Sequence, residues 1–246
     1  MTVMCQSFFR SITTCSLCAA LLLIAACASG KPGPAKDATA KDAPVKDASS
    51  KTVTPPVAPP KDEAISLFDG KTMGKWKVTN FGGEGPVEIK DGVMVVRMGS
   101  PLSGVTWQGE PPLKMNYEIS LEAQRIEGDD FFLALTVPVG EASISLVLGG
   151  WGGTLVGLSS LDGQDASENE YTQYMNFKRE QWYKVKMIVK EKTIQVFIDD
   201  KMVIDAITDG RKIETRIEVD VSKPLGLATF ATTGGYRNIQ MKKLKD

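Results

Sequence analysis

The chain of 246 residues contains no histidine. That removes the usual general base near neutral pH, the Ser-His-Asp triad and any imidazole-bound zinc or iron. Cysteine is confined to Cys5, Cys15, Cys18 and Cys27. A domain that follows Cys27 therefore has no thiol, and disulfides, thiolate metal sites and cysteine nucleophiles drop out with it. Long apolar runs are also scarce. The stretch from Leu17 to Ile24 is well short of the roughly 20 residues that span a bilayer as a helix. Charge of either sign is not in excess: with Arg10 set aside, 28 basic residues face 30 acidic ones with no extended basic stripe, which argues against a nucleic-acid partner.

What is present begins with a targeting segment. One charge at Arg10, the apolar run to Ile24, and Ala25-Ala26-Cys27 have the layout of a secretory signal, which predicts a signal peptide over residues 1–26. Ile24-Ala25-Ala26-Cys27 also resembles the bacterial lipobox. That resemblance implies acylation of Cys27 and attachment to a membrane through lipid alone; the alternative is a soluble secreted protein cut nearby. Ala28 and Ser29, with no Asp after the lipid site, resemble an outer-membrane address, so the expected location is the cell envelope, facing periplasm or exterior. Residues 27–63 are rich in Ala, Lys, Asp and Pro, repeat Lys-Asp-Ala at Lys36, Lys41 and Lys46, and close on Pro55-Pro56-Val57-Ala58-Pro59-Pro60. They have too few large apolar side chains to offset the entropy of ordering, and are expected to act as a disordered tether.

From residue 64 to 246 the pattern changes to short β-branched and aromatic runs punctuated by Gly, Pro, Asp and Asn. Tyr183, Val185, Met187 and Val189 alternate with Lys184, Lys186 and Lys190, the mark of a half-buried strand. Glu191-Lys192 and Asp199-Asp200-Lys201 then turn the chain twice, predicting a three-strand meander. Further strands are expected from Val93 to Arg97, Tyr117 to Arg125, Phe131 to Val137, Ser143 to Leu148, Leu155 to Leu161, Leu225 to Thr232 and Arg237 to Leu244. A dozen or so strands call for an all-β, two-sheet antiparallel jelly-roll sandwich of the concanavalin A-like or laminin-G-like kind.

Several segments resemble the 3-keto-disaccharide hydrolase domain family. They are Ile65-Ser66-Leu67-Phe68-Asp69-Gly70-Lys71 with Trp76, Val87-Glu88-Ile89-Lys90-Asp91-Gly92, the strand from Asn116 to Glu122, Gln181-Trp182-Tyr183, and Tyr236-Arg237-Asn238-Ile239. The resemblance runs in order from about Ile65 to Leu244 and implies a concanavalin-like sandwich that cleaves glycosides whose sugar carries a 3-keto group. A ketone at C3 acidifies the C2 proton, so such an enzyme needs a base near C2.

The residues themselves offer two candidate constellations. Glycines on both sides of Trp151, in Gly149-Gly150-Trp151-Gly152-Gly153, can leave the indole face open as a platform for a sugar; the competing reading is a core Trp at a sheet bend. Asp162, Asp165, Glu168, Asn169 and Glu170 crowd oxygen donors into one loop, fit to chelate calcium or hydrogen-bond sugar hydroxyls, or else simply solvated. Crowding raises the pKa of neighbouring carboxylates, which would suit Asp165 or Glu170 as the base. Arg211 is a candidate sugar or carboxylate contact, against a plain hairpin-end cation. Glu118 and Glu122 lie ~13 Å apart along a strand, too far for a glycosidase pair. Three functions stay open: cleavage of 3-keto-glycosides, a non-catalytic glycan-binding module, and a structural envelope protein that recognises a protein partner.

Overall fold

Alternation along the chain becomes strand after strand in the computed structural model, which describes residues 64–245. The signal peptide, the lipid site at Cys27 and the tether expected over residues 1–63 lie outside the described residues. Within them, no helix is long and apolar enough to cross a membrane. Fifteen strands form: β1 (Ile65–Ser66), β2 (Trp76–Val78), β3 (Val87–Lys90), β4 (Val93–Val96), β5 (Leu102–Trp107), β6 (Tyr117–Gly128), β7 (Leu133–Val139), β8 (Ala142–Gly149), β9 (Leu155–Ser159), β10 (Gln173–Tyr174), β11 (Tyr183–Val189), β12 (Thr193–Ile198), β13 (Lys201–Ile207), β14 (Gly226–Phe230) and β15 (Thr232–Lys243). A 3-10 segment, Ile217–Ser222, precedes β14.

The strands make two antiparallel sheets. The first runs β13-β12-β11-β6-β15-β4-β3, with β1 added against β15; the second runs β10-β9-β8-β7-β14-β5-β2. The expected two-sheet sandwich is therefore what forms, and the meander is β11-β12-β13. Two boundaries differ from expectation. The stretch read as one strand from Leu225 to Thr232 breaks at Ala231, whose φ of 44° turns the chain into β15. β15 then starts at Thr232, well before Arg237, because Thr232-Thr233-Gly234-Gly235 pairs with β6 despite the weak strand propensity of its two glycines.

Facing sides of the sheets share one core. On β6, Tyr117, Ile119, Leu121 and Ala123 point inward against Val185, Met187 and Val189 of β11 and against Leu133, Leu135 and Val137 of β7. Buried polar tips are satisfied across the sandwich, as a dry core requires. The Tyr117 hydroxyl donates to the Pro138 carbonyl at 2.6 Å, the Tyr236 hydroxyl to that of Phe132 at 2.6 Å, and the Trp76 indole N–H to that of Leu67 at 2.8 Å. Each bond joins a strand of one sheet to a residue in, or directly beside, a strand of the other, so the three also tie the layers together.

Candidate functional site

The outer face of the second sheet differs from an ordinary solvated face because its side chains are small. Register aligns Gly104, Ala228, Ala134, Val147 and Gly157 in one row across β5, β14, β7, β8 and β9. One step along the strands lies a second row, Thr106, Gly226, Thr136, Ser145 and Ser159. The first row is a smooth apolar floor and the second a row of hydroxyls. Loops cover the ends of this floor, and they can lie close because glycine leaves room. A Cβ on Gly157 would meet the Ala166 carbonyl oxygen at 2.6 Å, and one on Gly104 would meet the Phe81 ring at 3.1 Å.

Between those loops lies a cleft of about 260 Å³. Its floor is Ala134, Ser145, Val147 and Ser159; Leu102, Asp130, Phe131, Phe230 and Trp151 rise on one rim, and Arg216, Glu218 and Val219 on the other. Ligand pockets usually measure about 300–1,000 Å³, so the cleft suits a ligand of one or two rings.

Trp151 owes its pose to strained backbone. Gly150–Gly153 forms a single turn, but Trp151 sits at φ 48°, ψ 54° and Gly152 at φ 84°, ψ 21°, both left-handed. Gly149 and Gly153 also have positive φ, at 78° and 107°. The turn carries the indole out of the sheet, 46% exposed, so Trp151 is not a core residue. Beneath it lies Arg125, the next inward residue of β6 after Ala123, 5% exposed. Its guanidinium donates to the Gly153 carbonyl at 2.8 Å and the Gly149 carbonyl at 3.5 Å, and stacks 5.3 Å from the Phe132 ring centroid. The Arg125 Nε is buried without a partner, and burial lowers the guanidinium pKa, with Asp129 and Asp130 opposing that shift. A side chain at Gly149 would collide with this guanidinium, so glycine is needed there for space as well as for its φ.

Arg216 faces the indole, its guanidinium carbon 5.7 Å from the ring centroid. Glu218 grips it through two contacts, 3.1 and 2.7 Å, and Asp165 through one at 2.5 Å. The Arg216 bond holds the Glu218 carboxyl below the ordinary glutamate range. Asp130, by contrast, accepts from the backbone N–H groups of Phe131 at 2.7 Å and Gly152 at 3.3 Å and forms no salt bridge among the described residues.

The acidic loop is placed differently from its reading in sequence. Asp162 and Glu170 both turn onto Arg211, which makes the carboxylate contact its reading allowed by bridging these two acids and does not line the cleft. Backbone donation from Lys212, with Arg211, lowers the Asp162 pKa, and Arg211 lowers that of Glu170. The expectation that crowding raises carboxylate pKa values in this loop is thus reversed at these two residues, because a cation sits between the acids. Asn169 is buried, donating to the Leu158 and Asp165 carbonyls at 2.8 and 2.6 Å, and Glu168 accepts from the Asp165 N–H at 3.3 Å. Asp165 also accepts from Ser167 Oγ at 2.6 Å, which leaves it behind Arg216 rather than on the cleft wall. Among the described residues no group of three or more acidic side chains converges as a metal would need, and the carboxylates spent on Arg211 and Arg216 do not fit a calcium cage. Of the sequence candidates, the structure brings Trp151 to the cleft and links Asp165 to it through Arg216. Asp130 reads from sequence, with Glu127 and Asp129, as a solvated turn residue, and Arg216 and Glu218 carry no signal of their own; register and loop packing bring the three together at the cleft.

Among solved structures the sandwich is similar to the apo form of Crh5 transglycosylase, at 10% identity over 75% of this chain and 84% of that one, TM-score 0.51. It is also similar to a Bacillus subtilis protein of unknown function with a galectin-like fold, at 8% identity over 69% and 90%, TM-score 0.50. The carbohydrate-binding module CBM66 of Bacillus subtilis aligns at 11% identity over 69% and 96%, TM-score 0.48. At such identities the first two likenesses describe the fold alone. No curated protein is significantly similar in sequence. Residues 63–242, nearly the whole sandwich, match the 3-keto-alpha-glucoside-1,2-lyase-like domain, and the chain belongs to that carbohydrate-active family.

Proposed function

We propose that the cleft binds the sugar ring of a 3-keto-glucoside against Trp151 and eliminates its aglycone across C1 and C2, with Asp130 as the base. The observation that carries this reading is the contrast between the two carboxylates lining the cleft: Glu218 is spent on Arg216, whereas the Asp130 carboxylate accepts hydrogen bonds from backbone amides, forms no salt bridge among the described residues although it feels the charge of Arg125, and lies beside the Trp151 turn. In the proposed step Asp130 takes the C2 proton, which the C3 ketone has acidified, and the electron pair forms the C1–C2 double bond. The C1–O bond breaks, and the aglycone oxygen leaves with its pair and takes up the proton that Asp130 removed, which returns Asp130 to its carboxylate. Arg216 is the cation available to the developing enolate oxygen. Asp165 and Glu218 hold Arg216 in place, and a sugar's C–H face stacks on the indole.

The test is incubation of the full chain with 3-keto-α-glucosides and their unoxidised parents, following released aglycone and the ultraviolet absorbance of the conjugated enone. Release from the keto compounds alone is expected, and Asp130→Asn should lower kcat by about 10²–10⁴. A binding-module reading is favoured by one observation, the neutralisation of Glu218 and Asp165 by a single arginine. Sugar binding with no release would establish it, and absence of any sugar binding would sink both readings.

The domain is further proposed to stand on a bacterial outer membrane through a lipid on Cys27, supported by Ile24-Ala25-Ala26-Cys27. Labelled palmitate should enter the wild type and not Cys27→Ser.

A further inference from the structure

The two ends of the cleft are chemically unlike, and the difference runs across the strands. At the β8–β9 end stand Ser145, Ser159, Trp151 and Arg216, with Asp130 bonded to the Trp151 turn. At the β14–β5 end the wall is Leu102 and Phe230, which are register partners, with Phe131 tilted 39° against Phe230 at 5.7 Å between ring centroids. Ala134 and Ala228 of the small-residue row lie beneath this end. Phe230 is 36% exposed, an aromatic face turned to solvent from the middle of a sheet.

We infer that this apolar end is an aglycone subsite for an uncharged aromatic leaving group rather than for a second sugar. The inference rests on the proposed placement of the glycosyl ring against Trp151. A flat ring fits because the floor has nothing larger than alanine there and the wall offers a phenyl face for tilted or offset stacking. A second hexose would bring several hydroxyls against Leu102, Phe131 and Phe230, whose side chains can bond none of them. The nearby hydroxyls of Thr136 and Ser145 bond each other at 2.8 Å, and Ser159 faces Ser160 at 3.4 Å. Hydroxyls buried without partners weaken binding. Charge argues the same way: Asp130 and Glu218 outnumber Arg216 on the cleft walls, which disfavours an anionic group.

Calorimetry with the full chain tests this on unoxidised ligands, so that no turnover is needed: phenyl α-glucoside, its carboxyphenyl analogue, methyl α-glucoside and an α-linked glucose disaccharide. Phenyl should bind about tenfold tighter than methyl and than the disaccharide, in line with one ring-stacking contact plus the buried ring area. Phe230→Ser should erase the phenyl advantage and leave methyl α-glucoside affinity within about twofold. Leu102→Ser serves as a second variant should Phe230→Ser fail to fold by circular dichroism, with the same expectation. A disaccharide or carboxyphenyl ligand that binds as tightly as phenyl, a phenyl advantage that survives both variants, or no binding of any glucoside would overturn the subsite. The corresponding 3-keto compounds, run in parallel, separate this result from the lyase reading. Cleavage without aromatic preference refutes the subsite alone, and aromatic preference without cleavage refutes the chemistry alone.

Discussion

Replacing Arg125 by methionine isolates what holds the Trp151 turn in place. Trp151 lies in the left-handed region, which costs an L-residue other than glycine about 1–2 kcal/mol. Against that stand the donations of Arg125 to the Gly153 and Gly149 carbonyls, of which the 2.8 Å bond to Gly153 is the better formed. A hydrogen bond with one charged partner contributes about 1.5–3 kcal/mol, enough by itself to exceed the strain. Methionine fills much of the same space beside Phe132 but donates nothing. The strain is then unopposed, and two carbonyls lose their partner. Global stability should move much less than this suggests. Removing a buried guanidinium that has, among the described residues, no salt bridge and no partner for its Nε relieves a desolvation penalty of similar size, so the net change expected is under about 2 kcal/mol in either direction. The turn should come loose while the sandwich stays folded. Indole N–H resonances report it: the Trp151 signal, assigned by loss in Trp151→Phe, should broaden or shift in Arg125→Met, while those of buried Trp76 and Trp107 stay in place. Urea melts measure the global change. A Trp151 resonance that stays sharp and unmoved in a folded Arg125→Met domain would refute the reasoning, and so would an equal disturbance of all the indoles.

Other perturbations test the covered floor, the cross-sheet ties and the absence of histidine. Gly157→Ala places a methyl 2.6 Å from the Ala166 carbonyl oxygen and 2.9 Å from its Cβ, so a loop backbone must shift; overpacking of this kind costs about 1–3 kcal/mol in a urea melt. Tyr236→Phe leaves the buried Phe132 carbonyl without its 2.6 Å donor, and a loss of about 1–3 kcal/mol is expected by the same method. Stability of the sandwich should be nearly flat from about pH 6 to 9, since residues 64–245 contain neither histidine nor cysteine and so no side chain with an ordinary pKa in that window. Glu218, Asp162, Asp220 and Glu170 have lowered pKa values, so their stabilisation is present above the ordinary carboxylate pKa of about 4 and is lost as pH falls through the folded values. Burial raises Tyr117 and Tyr236, so their contribution is complete below about pH 10 and is lost above it. A midpoint that titrates near pH 6.5 would contradict this account.

The sandwich was legible because its evidence is local. Period-two alternation at Tyr183, Val185, Met187 and Val189, or at Tyr117, Ile119, Leu121 and Ala123, survives in any register, and the turns Glu191-Lys192 and Asp199-Asp200-Lys201 mark the meander directly. β5 was missed because Ser103-Gly104 in Leu102–Trp107 interrupts the alternation, yet Gly104 is small because Phe81 rests on it. The site was less legible because its parts lie on different strands and loops. Gly104, Ala228, Ala134, Val147 and Gly157 form a row only once four pairings are known. The acidic loop drew attention through its crowding, while the arginines that neutralise Glu170, Asp162 and Asp165 come from 41, 49 and 51 residues further on. One signal was readable: Arg125 continues the inward period of β6, and a charge on a core face asks for a buried partner.

The missing histidine also narrows the chemistry the cleft can perform. A carboxylate is a weak base, and on its own it removes a carbon-bound proton only when a neighbouring group has already acidified it. An ordinary glycosidase instead uses two carboxyl groups across the scissile bond, one kept protonated by a raised pKa. In this cleft Glu218 is pushed the other way by Arg216, so it is poorly suited to donate a proton near neutral pH. On the proposed reading the acid is dispensable, because the C3 ketone activates the substrate before it arrives. A Glu218→Gln variant should therefore keep its pH profile while kcat falls, because Arg216 loosens from the place where the enolate charge develops. Loss of an ionisation from the kcat pH profile would instead make Glu218 the acid of an ordinary hydrolysis.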